Sequence, residues 1–166
     1  ICYNSSTSTD ACIKRAIACK DKGHLATLRF AHATFHVSGI SRVCSHQFVR
    51  SKHLDFLQRS QRYCNEEQAS FVYPGTASDT LISSTYQSAM AKYHELLAAG
   101  VKKEDARFVL PEGTQTELVV TGNLQSWLDF IRLRADKHAQ HEIRAVAKEI
   151  NNQLAKQLDP LFTWMP

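Results

Sequence analysis

The sequence predicts an α+β fold in a single domain over residues 1–166. Three observations carry that expectation. Several segments repeat apolar residues at helical spacing, and two others are β-rich. At 43% hydrophobic over 166 residues the chain has enough apolar side chains for a core, and no repeat, low-complexity stretch or linker divides it.

In chain order, Ser8 or Thr9 is placed to cap a helix whose apolar positions Ala11, Ile13, Ala16, Ile17 and Ala18 lead to a stop at Gly23. Leu28 to Val37 is rich in Phe, Thr, Val and His and reads as a strand broken by Gly39. Val43 to Leu57 is ambiguous; Phe48, Val49, Leu54, Phe56 and Leu57 suit a short helix running into a loop. Pro74-Gly75 marks a turn. Thr80 to Ala99 has helical spacing and stops at Gly100, and Lys103 to Val109 is a short helix ended by Pro111. Thr114 to Thr121 alternates as a strand does. Leu124 to Leu133 and Ala139 to Leu158 read as amphipathic helices, the second ended by Pro160.

Bulk properties narrow the function classes. There is no run of eighteen apolar residues, so no membrane-spanning helix is expected. The chain opens at Ile1 with no basic and apolar leader, which predicts that N-terminal residues are missing. Five cysteines (Cys2, Cys12, Cys19, Cys44 and Cys64), an odd number with no C-x-x-C pair, argue for reduced thiols and a cytoplasmic protein. Eight histidines sit in no zinc-ligand spacing, so no metal site is expected, and His32 and His36 read as ordinary strand or core residues. The net charge of +4 is spread along the chain and suits an anionic small molecule at least as well as nucleic acid, for which no aromatic-rich or zinc-finger pattern is present.

The most informative segment runs from Gln47 to Tyr63. Gln47, Arg50, Ser60 and Arg62 fall close together, and two guanidinium groups with a hydroxyl suit a phosphate, which arginine grips bidentately at any working pH. Ser60-Gln61-Arg62-Tyr63 by itself reads as a solvated loop; its neighbours Gln47 and Arg50 lift it above that. A second polar cluster runs from Asn123 to Arg144. On the expected last helix Gln140 and Arg144 share a face, as do His138 and Glu142, the latter reading as an intrahelical pair. Arg134 closes the preceding helix, where a cation also suits the helix dipole.

Taken together and in order, these segments resemble the flavin-dependent thymidylate synthases. That family's signature, R-H-R-x-x-S-x-N-E-x-S-x-R-Y, has the length of Arg50 to Tyr63, which matches it at Arg50, Ser60, Arg62 and Tyr63. Gln47 stands three residues upstream as in the family, and Gly23-His24 resembles its early G-H. Ala106-Arg107-Phe-Val-Leu-Pro111 resembles its A-R-x-x-L-P segment. Asn123 to Arg134, followed by His138-Ala-Gln140-His-Glu142-Ile-Arg144, resembles its late block, so the likeness runs from about Cys2 to Pro160. The departures are Ser51-Lys52 in place of H-R, Asp55 in place of the first serine, and Leu57-Gln58 in place of N-E. Arg29-Phe30 stands where a glutamate is expected, and Gln125 where an arginine follows the late asparagine.

The resemblance implies an antiparallel sheet packed with helices and C5-methylation of a uracil nucleotide, dUMP to dTMP. Methylenetetrahydrofolate would be the carbon donor, FAD the redox carrier and NADPH the reductant. It implies a nucleotide site at Gln47, Arg50, Ser60, Gln61, Arg62, Arg107 and Arg134, with Arg134 and Ser60 nearest the chemistry. Arg134 would stabilise charge growing on the base, and Ser60 would bind, since no histidine base is placed beside it by sequence. Thr27, Arg50, Ser51, Lys52, His53, Gln58, Asn123, Asp129 and His138 would face the flavin. Lys52 keeps a positive charge there but lacks the guanidinium fork. The family's homotetramer, with sites shared among subunits, is the implied assembly. The altered signature leaves two alternatives: a UMP or dUMP methylase of nucleoside-antibiotic synthesis, whose 2′-hydroxyl needs its own partner, or a catalytically silent nucleotide-binding homologue. A general nucleic-acid binder would show steep salt dependence.

Overall fold

The computed structural model describes residues 8–76 and 78–158. Along the chain it places helices α1 (Thr9–Asp21), α2 (Arg42–Phe48), α3 (Asp79–Ala98), α4 (Lys103–Ala106), α5 (Leu124–Arg134) and α6 (His141–Leu158). Strands β1 (His32–Ser41), β2 (Leu54–Gln58) and β3 (Gln115–Asn123) form an antiparallel sheet in the order β1-β3-β2. The fold is α+β, as expected. The chain divides into two units, the first holding the described residues up to Thr34, Lys52–Leu54 and those from Thr121 onward, the second Phe35–Ser51 and Asp55–Val120.

In the first unit Ser8 caps α1, its Oγ accepting from the Ala11 N–H at 3.4 Å, and Gly23 adopts φ +73° just past the helix end, where only a residue without Cβ sits easily. The expected strand from Leu28 is a 3-10 turn over Leu25–Phe30 instead. Strand β1 begins later, at His32, and runs through Gly39. Gly39 bends without breaking it, because φ +74° is open to glycine. The core of this unit is the apolar face of α5 on α6 and on the 3-10 turn: Leu28, Leu124, Trp127, Leu128, Ile131, Ile143, Ala147, Ile150 and Leu154 are all buried. Trp127 is fully buried and donates its indole N–H to the Ala33 carbonyl at 3.0 Å, which satisfies the one polar atom of the ring.

In the second unit Ser41 caps α2, and Cys44, Ser45 and Phe48 turn inward. Phe48 meets Phe56 edge to face at 5.8 Å. The segment expected to fall into a loop after that helix contains β2, whose Leu54, Phe56 and Gln58 alternate with exposed residues. Burial alternates over its five positions, but the sequence places apolar Phe56 and Leu57 side by side, so apolar and polar residues do not alternate and periodicity does not declare a strand. Helix α3 ends before Gly100 at φ +82°, and its Tyr93 is wholly buried. His36 lies on β1 as expected but is exposed, with Nε2 2.9 Å from Glu117, and His32 is exposed too, so neither belongs to a core.

Gly113 shows how tightly the second unit is packed. A Cβ there would stand 1.7 Å from the Tyr86 hydroxyl, which donates to the Val72 carbonyl at 3.3 Å. The Tyr86 ring stacks on Phe71 with centroids 4.6 Å apart. Gly113→Ala is therefore expected to destabilise by about 1–3 kcal/mol through overpacking. A urea midpoint equal to that of the unsubstituted chain would show that Tyr86 yields freely.

Candidate functional site

Each unit carries one part of the residues singled out in the sequence. In the second unit the Ser41 cap fixes the start of α2, and the Arg42 backbone N–H is tied to the Thr114 carbonyl at 3.1 Å. Arg42 and His46, four apart, then share one face of that helix. With Gln61, Arg107, Phe108 and Glu112 they line a cleft of about 310 Å³. Glu112 Oε2 lies 3.3 Å from His46 Nδ1, and Arg107 is held by its Nε donating to the Glu104 carbonyl at 3.0 Å. The cleft thus gathers two guanidinium groups, an amide and a titratable ring on few residues, a lining suited to an oxyanion.

Of the residues singled out in the sequence, this cleft brings together Gln61 and Arg107. Arg42, His46 and Glu112 were missed; the i, i+4 spacing of Arg42 and His46 just before Gln47 was the available sign of the first two. Arg62 points elsewhere. Its Nε donates to Glu104 Oε2 at 2.6 Å, its guanidinium carbon lies 5.3 Å from the centre of the Tyr63 ring, and it lines an open cleft of about 630 Å³ with Lys102 and Lys103. Ser60 and Arg62 do not lie along an extended loop. Residues 61–64 form a turn: the Ser60 carbonyl accepts from the Tyr63 and Cys64 N–H groups at 3.3 and 2.9 Å, and Ser60 Oγ accepts from the Arg62 N–H at 3.2 Å. Serine competes well for such local backbone bonds, which period-two reasoning does not see.

Gln47 is half-buried on α2 and Arg50 is exposed just after it. Ser51 Oγ is buried with no hydrogen-bond partner among the described residues, a position that calls for one. Gln58 gives its amide N–H to Ser45 Oγ at 2.9 Å and Thr116 Oγ1 at 3.4 Å, so its nitrogen braces β2 against α2 and β3. Beside it a charge chain crosses the sheet. Arg59 donates to the buried Glu66 at 3.3 Å and lies 3.7 Å from Glu117; Glu66 above all holds the Arg59 guanidinium in its charged form.

In the first unit Lys52 and His53 are exposed in a turn where His53 takes φ +61°, a conformation that side-chain-bearing residues adopt only when their surroundings hold them there. A Cβ on Gly122 of β3 would come within 2.4 Å of Leu54 Cδ2, so that glycine lets the turn approach closely. Asn123 caps α5: its Oδ1 accepts from the Ser126 N–H at 2.9 Å and from Ser126 Oγ at 3.1 Å. Asp129 is exposed on α5, and Arg134 is its half-buried last residue with Nε wholly inside. Thr27 is exposed, its hydroxyl donating to the His24 carbonyl at 3.4 Å. Two of the departures meet each other, Arg29 Nε donating to Gln125 Oε1 at 2.7 Å.

The last helix begins at His141, not Ala139, which corrects the shared faces expected for it. Gln140 stands before the helix and caps it, Oε1 accepting from the Glu142 and Ile143 N–H groups at 3.1 and 3.2 Å. His138 lies in the preceding turn, with Nδ1 2.8 Å from Asp136 Oδ1 rather than beside Glu142. The His138 backbone N–H and then its ring hold the Asp136 carboxyl below the usual carboxylate range. Among the described residues no group of three or more metal-ligating side chains occurs, no helix is long and apolar enough to cross a membrane, and Cys12, Cys19, Cys44 and Cys64 form no disulfide. Cys2, Pro160 and both ends of the resemblance lie outside the described residues.

Comparison with known proteins agrees with the motifs. A family model described as thymidylate synthase complementing protein matches residues 1–160. Relatives described as flavin-dependent thymidylate synthase from Mycobacterium tuberculosis and Mycobacterium avium are each 36% identical to the chain, over 179 and 180 positions respectively. One from Mycobacteroides abscessus is 35% identical over 179. Each alignment covers 96% of this chain and 71% of the relative.

Proposed function

Because the chain belongs to the flavin-dependent thymidylate synthase family, we propose that it methylates carbon 5 of a uracil nucleotide, converting dUMP to dTMP. Methylenetetrahydrofolate would give the carbon, FAD would carry the electrons and NADPH would supply them. The observation that supports the nucleotide half of this reading most directly is the cleft holding Arg42, Gln61 and Arg107. A phosphate there meets two permanent cations and an amide donor, a charge-assisted set of the kind that fixes a nucleotide's position. Arg134, partly withdrawn from water at the end of α5, is assigned to the base, where a guanidinium stabilises negative charge developing on the carbonyl oxygens. Ser60, its oxygen already accepting from the Arg62 N–H, keeps its hydroxyl proton to donate; it binds and does not attack. Gln47 and Arg50 complete the nucleotide set, and Arg62 would join it only by leaving Glu104.

The residues assigned to the flavin fit a polar cofactor. Ser51 Oγ is an orphaned buried hydroxyl, and Thr27, Lys52, His53, Asp129 and His138 present exposed polar groups. Lys52 would neutralise phosphate as a point charge, Arg50 as a fork, and Asn123 and Gln58 would contribute amide groups. When bound, the flavin supplies the redox chemistry that no side chain can. The residues around it hold and orient; positioning of this kind removes much of a barrier. We further infer one such domain over 1–166, a homotetramer with shared sites and a cytoplasmic setting; the split of the site residues between two distant segments of the sequence and the odd number of cysteines support this.

The test is turnover of dUMP and UMP by the same flavin-loaded preparation with methylenetetrahydrofolate and NADPH. dTMP formation is expected, with bound flavin visible in the absorbance spectrum. A spectrum without flavin after saturating FAD, and no product from either nucleotide, would defeat the reading. The Arg29–Gln125 hydrogen bond, which joins two family departures on the flavin side, favours one second reading, a nucleotide-binding homologue without flavin turnover. UMP turnover exceeding that of dUMP would point instead to the antibiotic-type methylase.

A further inference from the structure

The cleft of Arg42, Gln61 and Arg107 also contains a carboxylate, and phosphate binding has no use for one there. Glu112 sits at its rim with its side chain 61% exposed. Its place is set by the backbone: the Val43 N–H donates to the Glu112 carbonyl at 3.1 Å, which pins the residue beside the first turn of α2. The charged and titratable groups facing it are Arg42 and His46 from α2 and Arg107 from the turn after α4; His46 Nδ1 is the nearest, at 3.3 Å. The carboxylate therefore acts inside a field that otherwise attracts anions.

A fixed negative charge at the rim repels any phosphate, and the repulsion grows with the charge of the ligand. A monophosphate brings about two negative charges and a triphosphate about four, the additional ones on groups that extend away from the innermost phosphate. Two guanidinium groups compensate one phosphate well. They cannot compensate a chain of three while a carboxylate stands at the exit. Resting on the reading that this cleft takes the nucleotide's phosphate, we infer that Glu112 is a specificity determinant that selects the nucleoside monophosphate against its di- and triphosphates, with His46 holding the carboxylate in place.

The experiment is calorimetric titration of the full chain with dUMP and with dUTP at pH 8, low salt and no divalent cation. The proteins compared are the unsubstituted chain, Glu112→Gln, Glu112→Asn and Arg107→Ala. Removing the carboxylate charge is expected to tighten dUTP by about tenfold and dUMP by about twofold, narrowing the preference by about fivefold, and by less in high salt, where screening weakens the repulsion. Two neutral replacements guard against one of them disturbing the loop. An unchanged dUMP-to-dUTP ratio in both Glu112 variants, with Arg107→Ala weakening dUMP by about tenfold or more, would overturn the role of Glu112 and leave the site standing. Undiminished dUMP binding by Arg107→Ala would instead remove the site on which the inference rests.

Discussion

Arg134→Ala is expected to lower turnover by about 10²–10³-fold at saturating nucleotide and flavin, the loss typical of removing one charge-stabilising donor from a reaction centre. The physical case rests on where α5 ends. Arg134 is the last residue of that helix and is half-buried, and its Nε is shielded from water. Electrostatic stabilisation is stronger in such a setting than on an open surface. Because the expected loss is in the transition state, kcat should fall more than the nucleotide affinity. Arg134→Lys keeps the charge and discards the planar fork, and is expected to recover only part of the rate. A variant that binds nucleotide and flavin normally and turns over within about threefold of the unsubstituted chain would show that Arg134 only closes the helix.

The second large effect concerns stability. Trp127→Ala is expected to cost about 3–5 kcal/mol, since it empties the volume of a fully buried ring. It also removes the edge-to-face contact with Phe130, centroids 5.9 Å apart, and the hydrogen bond to the Ala33 carbonyl. For a chain of this length that corresponds to a fall of roughly 10 °C in Tm. Trp127→Phe fills most of the space but leaves the carbonyl without its donor, and should cost about 1–3 kcal/mol. If alanine and phenylalanine lose equally little in denaturant unfolding, the packing of α5 is not what holds the first unit together.

The elements easiest to read in the sequence are those in which several local rules agree. Helix α3 has long apolar periodicity and a closing glycine, and α5 and α6 have spacing that survives in their buried faces. Strand β2 was not legible: its pairing comes from residues more than fifty positions away, the Arg59 N–H to the Glu117 carbonyl among them. Helix α6 starts two residues later than its spacing predicts because Gln140 satisfies the first N–H groups from outside the helix, a role that sequence more often gives to Ser, Asp or Asn. In the candidate site Gln61 and Arg107 were found from their motifs. Arg42 and Glu112 belong to no motif and reach the same cleft only through the backbone bonds that tie α2 to residues 112 and 114. The Glu104 carboxylate that engages Arg62 lies forty-two positions along the chain and has no local signature either.

Asn123 carries a consequence for what can lie against it. Both acceptor positions of its side-chain oxygen are occupied by Ser126, through the N–H and the hydroxyl. An asparagine has only one other polar atom, the amide nitrogen, and that atom can only donate. Whatever small molecule reaches this side chain must offer it an oxygen or an acceptor nitrogen, and a molecule presenting an N–H there would have to displace Ser126 from the cap to be received. The cap thereby imposes a chemical polarity on its neighbour: helix formation has already chosen that an accepting edge of a heterocycle, and not a donating one, can be accommodated at that point.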